Sequence, residues 1–201
     1  MRRWMRLYRP SENEMIFVFT GPDGSGRKTV ADMVGTTLGI SKVLSYTTRS
    51  RRPAEVEGQD YYFISREEFD EAERNGEFVE SVEIDGVKYG HKTKDIEEMF
   101  KKNDFIYLIL NAQGARKLKE AYGDKVTRIF IYVDRDVIIE RQKALGVSDE
   151  ILESHFKHYD EDMAYKDECK HSFENTDLAH TVFAVTEVLE KYMKRDLVEK
   201  D

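Results

Sequence analysis

Residues 21–29 have the composition of a loop that binds phosphate. Their sequence, Gly-Pro-Asp-Gly-Ser-Gly-Arg-Lys-Thr, nearly matches the pattern G-x-x-x-x-G-K-S/T, in which backbone N–H groups surround a phosphate. Arg27 occupies the lysine position of this pattern, and Lys28 occupies the hydroxyl position. A guanidinium is a planar fork rather than a compact ammonium, and an ammonium in the hydroxyl position cannot bind Mg²⁺. The sequence therefore predicts a phosphate-binding loop whose metal position is altered.

The candidate phosphate ligands of this loop are Gly21, Asp23, Gly24, Ser25, Gly26, Arg27, Lys28 and Thr29. Two other interpretations stay open. If the loop is shifted by one residue, Lys28 and Thr29 become the working pair, and Thr29 is then the one candidate metal ligand. Alternatively, the segment is a glycine-rich turn that binds nothing.

The elements on either side of the loop favour phosphate binding. Met15–Thr20 is an apolar run of strand length, and residues 28–38 contain no proline and are predicted to form a helix. In the order strand, glycine-rich turn, helix, the first N–H groups of the helix and the positive end of its dipole face a bound phosphate.

A second set of side chains, between positions 45 and 93, has the groups needed to hold a phosphate and a purine. Its members are Ser45, Thr47, Thr48, Arg49, Arg52, Tyr61, Glu80 and Tyr89. Two arginines three residues apart, close to hydroxyls, can grip a phosphate through paired hydrogen bonds. The Glu80 carboxylate can accept hydrogen bonds from both N1–H and N2–H₂ of guanine, and adenine lacks this pair of donors. Residue types alone, however, favour a solvated face of ion pairs.

The rest of the chain alternates strands and helices. Further strands are predicted from residue 42 and at 60–64, 78–84, 87–89, 105–110, 126–133 and 171–174. Helices are predicted at 65–74, where Ser65 and Glu68 form a capping box, and at 94–102, 115–121, most of 136–166 and 178–193. This alternation is typical of an α/β fold with a parallel sheet.

The order and spacing of these motifs resemble those of guanylate kinases. The resemblance rests on Ser45-x-Thr-Thr-Arg49-x-x-Arg52-Pro53, Glu55-x-x-Gly58-x-Asp-Tyr61-x-Phe63, Phe78-x-Glu80, Tyr89-Gly90 and Gln113-Gly114. It implies a P-loop nucleoside monophosphate kinase fold, with a parallel core sheet flanked by helices, a small mixed α/β lobe for GMP and a helical lid. The implied segments are a basic tail at 1–14 and a domain at 15–201, with its core at 15–43, 94–134 and 171–195, the GMP-binding lobe at 44–93 and the lid at 135–170.

The resemblance also implies roles for individual residues. The GMP-binding positions are Ser45, Arg49, Arg52, Tyr61, Glu80, Tyr89, His91 and Asn111. Among these, Glu80 would recognise guanine. The phosphate would be bound by Ser45, the two arginines and the two tyrosines. Arg27, Lys28 and Arg141 would neutralise charge during phosphoryl transfer, and Asn175 matches an adenine-contacting position. GMP and ATP are the implied ligands, and Mg²⁺ would enter with the ATP phosphates.

The sequence departs from the family pattern mostly on the ATP side. Ile109 replaces an aspartate that helps to organise the metal, Leu145-Gly146 replaces an Arg-Gly pair of the lid, and His155 replaces a later arginine. On the GMP side, His91 replaces a serine or threonine, and Asn111 replaces an aspartate. Loss of one arginine can slow phosphoryl transfer by about 10³-fold. Two functions therefore stay open: a guanylate kinase of weak or lost activity, and a non-catalytic module that binds a guanine nucleotide or a protein ligand.

Composition limits the remaining classes of function. The chain has 201 residues, of which 40% are hydrophobic and 36% charged, as expected for a soluble globular protein with no membrane-spanning segment. A net charge of −8 and a pI near 5.3 argue against a nucleic-acid-binding protein. The one cysteine, Cys169, excludes an internal disulfide, and no secretory segment is apparent, so we expect a reducing, cytoplasmic location. Residues 1–10, with four arginines, are expected to form a flexible basic tail.

Overall fold

The computed structural model describes residues 7–144 and 146–194. Residues 1–6 of the predicted tail, Leu145 of the lid and the side chain of His155 lie outside the described residues. The strands are β1 (Met15–Thr20), β2 (Ser41–Lys42), β3 (Tyr46–Thr47), β4 (Tyr62–Phe63), β5 (Phe78–Ile84), β6 (Val87–Lys92), β7 (Phe105–Ile109), β8 (Val126–Tyr132) and β9 (His171–Glu174). The helices are α1 (Arg27–Leu38), α2 (Arg66–Arg74), α3 (Thr93–Phe100), α4 (Ala112–Tyr122), α5 (Arg135–Ala144), α6 (Asp149–Phe156), α7 (Tyr159–Ala164) and α8 (Leu178–Met193).

The strands form two sheets. The larger sheet has the order β2-β7-β1-β8-β9, and its β2/β7 and β8/β9 pairs are parallel. The smaller sheet has the order β4-β3-β6-β5, with β3 parallel to β4 and with β6 antiparallel to both β3 and β5. The prediction of an α/β fold with a parallel core sheet and a separate mixed sheet is confirmed.

Local sequence signals explain several boundaries. Ser65 caps α2 by accepting from Glu68 N–H, while the Glu68 carboxylate accepts from Ser65 N–H, which is the predicted capping box. The β5–β6 hairpin turns at Asp85 and Gly86, whose φ angles of 48° and 80° suit a two-residue turn that matches the strand twist. The predicted strand at 60–64 is shorter, because its partner β3 ends after two residues.

The chain divides into two compact units, each with its own apolar interior. Unit 1 comprises Met1–Ile16, Ser41–Leu108 and Gln113–Val126, and unit 2 comprises Phe17–Ile40, Ile109–Ala112 and Thr127–Asp201. Fully buried side chains in unit 1 include Phe69, Ile96, Ile106, Leu108 and Leu118. Those in unit 2 include Phe17, Phe19, Phe130, Ile131, Val185 and Leu189. No described helix is long and apolar enough to cross a membrane.

Candidate functional site

Residues 21–29, the ATP loop, join β1 to α1 within unit 2 and are named for the ligand that the resemblance implies. Gly21 and Gly26 have φ angles of 139° and 84°, values that side chains rarely adopt. A Cβ atom on Gly21 would collide with the carbonyl oxygen of Ile131, and one on Gly26 would lie 2.5 Å from Asn175 Nδ2. The loop backbone therefore requires glycine at these two positions.

The helix register assigns Arg27 and Lys28 to the lysine and hydroxyl positions of the loop pattern. Helix α1 begins at Arg27 with Gly26 as its N-cap, and Val30 N–H donates to Gly26 O at 3.0 Å. Thr29 is exposed in the first turn. A register that used Lys28 and Thr29 as the working pair would need the helix to begin one residue later.

The two cations of the ATP loop contact groups of their own segment. Arg27 donates to Gly21 O, and its second terminal nitrogen lies 2.8 Å from Asp23 Oδ1. Lys28 Nζ lies 3.1 Å from Asp32 Oδ2, one turn further along α1, in a pair that is exposed on both sides. Arg27 thus bends back over its own loop, and Lys28 lies along the flank of the helix.

Asn175 supports the ATP loop from the end of β9. Its side chain is 3% exposed, its Nδ2 donates to Ser25 O at 2.8 Å, and its backbone N–H donates to Tyr132 O. Arg141 of α5 donates to the carbonyl oxygens of Asn175 and Thr176, both at 2.8 Å. The structure therefore links these two predicted ATP-side residues to each other and to the loop through backbone oxygens.

A half-buried carboxylate, that of Asp162 in α7, interacts electrostatically with Arg27 and Asp23 of the loop. Its pKa is raised from 3.8 to about 6, mainly by burial and also by the charge of Asp23, whereas Arg27 and His158 lower it. No periodicity or motif in the sequence marks Asp162 as a candidate. Its proximity to Arg27 and Asp23 becomes visible only in three dimensions.

The ATP loop does not fit a protein-held Mg²⁺. Lys28 presents an ammonium where a hydroxyl ligand would stand, and Ile109 at the end of β7 has no oxygen to offer. Among the described residues, no group of three or more His, Cys, Asp or Glu side chains could hold a metal ion. Any metal at this loop would need its ligands from the nucleotide.

In unit 1, a phosphate cluster forms around Arg49 and consists of Arg49, Glu55, Tyr61 and Tyr89. Arg49 donates to both Glu55 oxygens, at 2.8 and 2.6 Å, and its guanidinium carbon lies 5.2 Å from the Tyr61 ring centroid. The Tyr61 and Tyr89 ring centroids are 6.2 Å apart. Hydrogen bonding to Glu55 raises the pKa of Arg49, and the same bond lowers the pKa of Glu55. A fixed cation is thus held beside two phenols.

Arg52 and Glu55 lie in the same loop as Arg49 and are joined by a hydrogen bond from the Arg52 backbone. The Arg52 backbone N–H donates to Glu55 Oε2 at 2.8 Å, and its side chain is exposed. Glu55 belongs to the motif Glu55-x-x-Gly58-x-Asp-Tyr61-x-Phe63, but no role was predicted for it. Its acidic type, six residues after Arg49, was the available signal for an ion pair within the loop.

A second group in unit 1, the base cluster, consists of Ser45, Glu80 and His91. His91 Nδ1 lies 2.7 Å from Glu80 Oε1, and Ser45 Oγ lies 3.1 Å from His91 Nε2. Their residue exposures are 9% for Ser45, 3% for Glu80 and 1% for His91. The second carboxylate oxygen, Glu80 Oε2, is buried with no hydrogen-bond partner in the described part of the chain.

The residue types of the base cluster match those of a nucleophilic serine triad, but its geometry does not. Ser45 Oγ is 3.1 Å from Nε2 and 3.5 Å from Nδ1 of His91. Because the two distances are nearly equal, the hydroxyl oxygen lies off the lone-pair axis of Nε2, where a general base would have to receive its proton. The cluster is therefore suited to hydrogen bonding with a ligand and unsuited to activating the serine.

The structure groups the predicted residues differently from the sequence in two places. By its contacts, Ser45 joins Glu80 and His91, whereas its predicted role placed it with Arg49 on the phosphate. Asn111 belongs to unit 2, whereas the other predicted GMP-binding residues belong to unit 1. The pairing of His91 with Glu80 was missed, because the two positions are eleven residues apart and become neighbours only through the β5–β6 register.

Comparisons with known proteins agree on one family. The guanylate kinase family profile matches residues 13–192. A guanylate kinase of Streptococcus thermophilus strain CNRZ 1066 is 32% identical over 183 residues, which is 90% of this chain and 88% of that protein. A guanylate kinase of Fusobacterium nucleatum is 26% identical over 89% of this chain and 97% of its own length. The crystal structure of guanylate kinase from Anaplasma phagocytophilum matches 90% of this chain and 87% of its own, with a TM-score of 0.72 at 27% identity.

Proposed function

The chain belongs to the guanylate kinase family, and we propose that it binds GMP through unit 1 while its phosphoryl transfer from ATP is weak or lost. In the full reaction, the γ-phosphoryl group of ATP passes to a phosphate oxygen of GMP, and the products are ADP and GDP. The family implies both substrates. The altered ATP loop of this chain is the reason for proposing a reduced rate.

The phosphate cluster is the observation that carries GMP binding. Glu55 holds Arg49 in place through two hydrogen bonds, and the two phenols of Tyr61 and Tyr89 lie beside it. A guanidinium oriented in this way can donate to a phosphate from its remaining N–H groups with little loss of side-chain entropy. Arg52 has an exposed side chain in the same loop and adds a second positive charge.

The proposed reduction in rate rests on the ATP loop. Arg27 is bonded to Gly21 and Asp23 of its own loop, and Lys28 is bonded to Asp32. Phosphoryl transfer is catalysed mainly by positioning and charge neutralisation, so cations directed elsewhere stabilise the transition state poorly. With no protein-held metal ligand at Lys28 or Ile109, Mg²⁺ can enter only with ATP, and we propose no resident metal.

The alternative is a non-catalytic module that binds a guanine nucleotide or a protein ligand. The same two ion pairs, Arg27–Asp23 and Lys28–Asp32, favour it, because they satisfy the loop cations without a nucleotide. We further propose a cytoplasmic location and no nucleic-acid partner, on the basis of the single Cys169 and the net charge of −8.

A paired experiment separates the two functions. Calorimetry with GMP and ATP measures binding, and a coupled assay with ATP, GMP and Mg²⁺ measures turnover. We expect GMP binding together with turnover at least ~10²-fold below that of an unaltered family member assayed in parallel. Strong, strictly Mg²⁺-dependent turnover would refute the proposed defect, and no GMP binding at millimolar concentration would refute the GMP site.

A further inference from the structure

We propose that His91 broadens the base specificity of the GMP site, so that a 6-oxopurine nucleotide without a 2-amino group, namely IMP, binds nearly as well as GMP. This inference rests on the proposed function, because it concerns the base half of the same nucleotide site. It begins from the hydrogen bonds of the base cluster.

The contacts of His91 fix where its hydrogen lies. An ionised carboxylate can only accept, so the 2.7 Å contact between His91 Nδ1 and Glu80 Oε1 places the ring hydrogen on Nδ1. The Ser45 hydroxyl lies 3.1 Å from Nε2 but off its lone-pair axis, so the contact with Glu80 is the better hydrogen bond of the ring. His91 therefore uses Glu80 Oε1 as its own hydrogen-bond acceptor inside a fully buried cluster.

Glu80 Oε2 is the oxygen of this carboxylate that lacks a hydrogen-bond donor among the described residues. Glu80 Oε2 is buried and has no hydrogen-bond partner in the part of the chain that the structure describes. A buried carboxylate oxygen without a partner is costly, so a ligand that donates to it is favoured. The N1–H group of any 6-oxopurine can supply the donor that Glu80 Oε2 lacks within the described ranges.

Guanine and hypoxanthine, the bases of GMP and IMP, differ in a second hydrogen-bond donor. Guanine carries a 2-amino group beside N1–H, whereas hypoxanthine carries only a C2 hydrogen. Discrimination by a polar site is large when the missing substrate group leaves a buried protein group unpaired. Here the absence of the 2-amino group leaves Glu80 Oε1 still bonded to His91, so this penalty does not arise at Glu80.

A remaining preference for GMP comes from uncharged acceptors for its 2-amino group, because Glu80 Oε1 already accepts from His91. Hydrogen bonds between neutral groups contribute about tenfold or less to affinity. We therefore expect the wild-type dissociation constants of GMP and IMP to differ by less than about tenfold, and AMP, which lacks N1–H, to bind at least ~100-fold more weakly than either.

Calorimetric titration of the full chain with GMP, IMP and AMP tests this expectation. A preference for GMP over IMP above about tenfold would overturn the inference while leaving the proposed function intact. Failure of both GMP and IMP to bind at millimolar concentration would overturn the proposed function itself. The two results cannot be confused.

The variant His91→Ser identifies the cause. Removing the imidazole leaves Glu80 Oε1 without its donor, so IMP leaves this oxygen unpaired whereas the 2-amino group of GMP satisfies it, and the preference for GMP over IMP should rise by at least ~10-fold. His180→Ser, at an exposed position on α8, is the matched control and should leave the ratio unchanged. An unchanged ratio in a folded His91→Ser protein would overturn the inference, and the wild-type ratio decides it if that variant does not fold.

Discussion

Replacing Asp162 with asparagine should stabilise the protein at neutral pH. Burial raises the pKa of this carboxyl from 3.8 to about 6, so the folded protein holds an ionised carboxylate in an unfavourable environment at pH 7. Asparagine resembles the protonated carboxyl in size and polarity but carries no charge. The substitution therefore removes the cost of burial and keeps the shape.

The size and the pH dependence follow from the same shift. A pKa raised by about two units corresponds to roughly 3 kcal/mol, and partial exposure of the side chain lets water reduce this value, so we expect a gain of about 1–3 kcal/mol. Below pH 3.8 the carboxyl is protonated in both folded and unfolded chains, and no cost exists. The cost grows as the pH rises toward 6 and is complete above it.

Thermal unfolding of Asp162→Asn and of the wild type measures this dependence, in a series from about pH 3.5 to about pH 8 that spans the folded-state pKa of about 6. Each kcal/mol should raise Tm by about 2–4 °C in a chain of this length. Asp160→Asn, on the same helix but with a side chain 90% exposed, is the control and should change stability by less than about 1 kcal/mol at any pH. A gain of equal size at low and high pH would refute burial of charge as its cause.

Three further predictions concern Arg49, the cations of the ATP loop and Asn175. Arg49→Ala should weaken GMP binding by at least ~10-fold in calorimetry, while Arg51→Ala, an exposed arginine of the same loop, should not. The double change Arg27→Lys with Lys28→Ser should make ATP binding at least ~10-fold tighter with Mg²⁺ than with EDTA, and equal affinities would contradict the assignment of the defect to these positions. Asn175→Ala should lower the free energy of unfolding by about 1–3 kcal/mol, because it removes the partner of the Ser25 carbonyl, and an unchanged denaturation midpoint would contradict this role.

Much of the fold could be predicted because each element has a local cause. The bounds of β1, β5, β9 and α8 agree with the sequence prediction residue for residue, since each is an apolar or periodic run with a clear start and end. Elements defined by their partners were predicted less well. The strand at 60–64 shrank to two residues because β3, which pairs with it, is itself two residues long.

The candidate site could be predicted only where the chemistry is carried by motif spacing. The ATP loop and the arginine-rich segment were identified because their residues are close in sequence. The pairs that change their chemistry, His91 with Glu80 and Arg27 with the Gly21 carbonyl, depend on side-chain directions that spacing does not contain. Asp162 was even less predictable from the sequence, because its raised pKa arises from burial and from charges on distant segments.

The ATP loop should lose more in catalysis than in binding, and its contacts explain why. Arg27 is held partly by Asp23, whose side chain is 57% exposed, and such an exposed pair contributes about 0–1 kcal/mol. A hydrogen bond from Arg27 to a charged phosphate contributes about 1.5–3 kcal/mol, so ATP can displace Asp23. No movement of Lys28 can restore a hydroxyl ligand for the metal. The defect that we propose therefore lies in placing Mg²⁺ and should appear as a low kcat, with ATP affinity largely preserved.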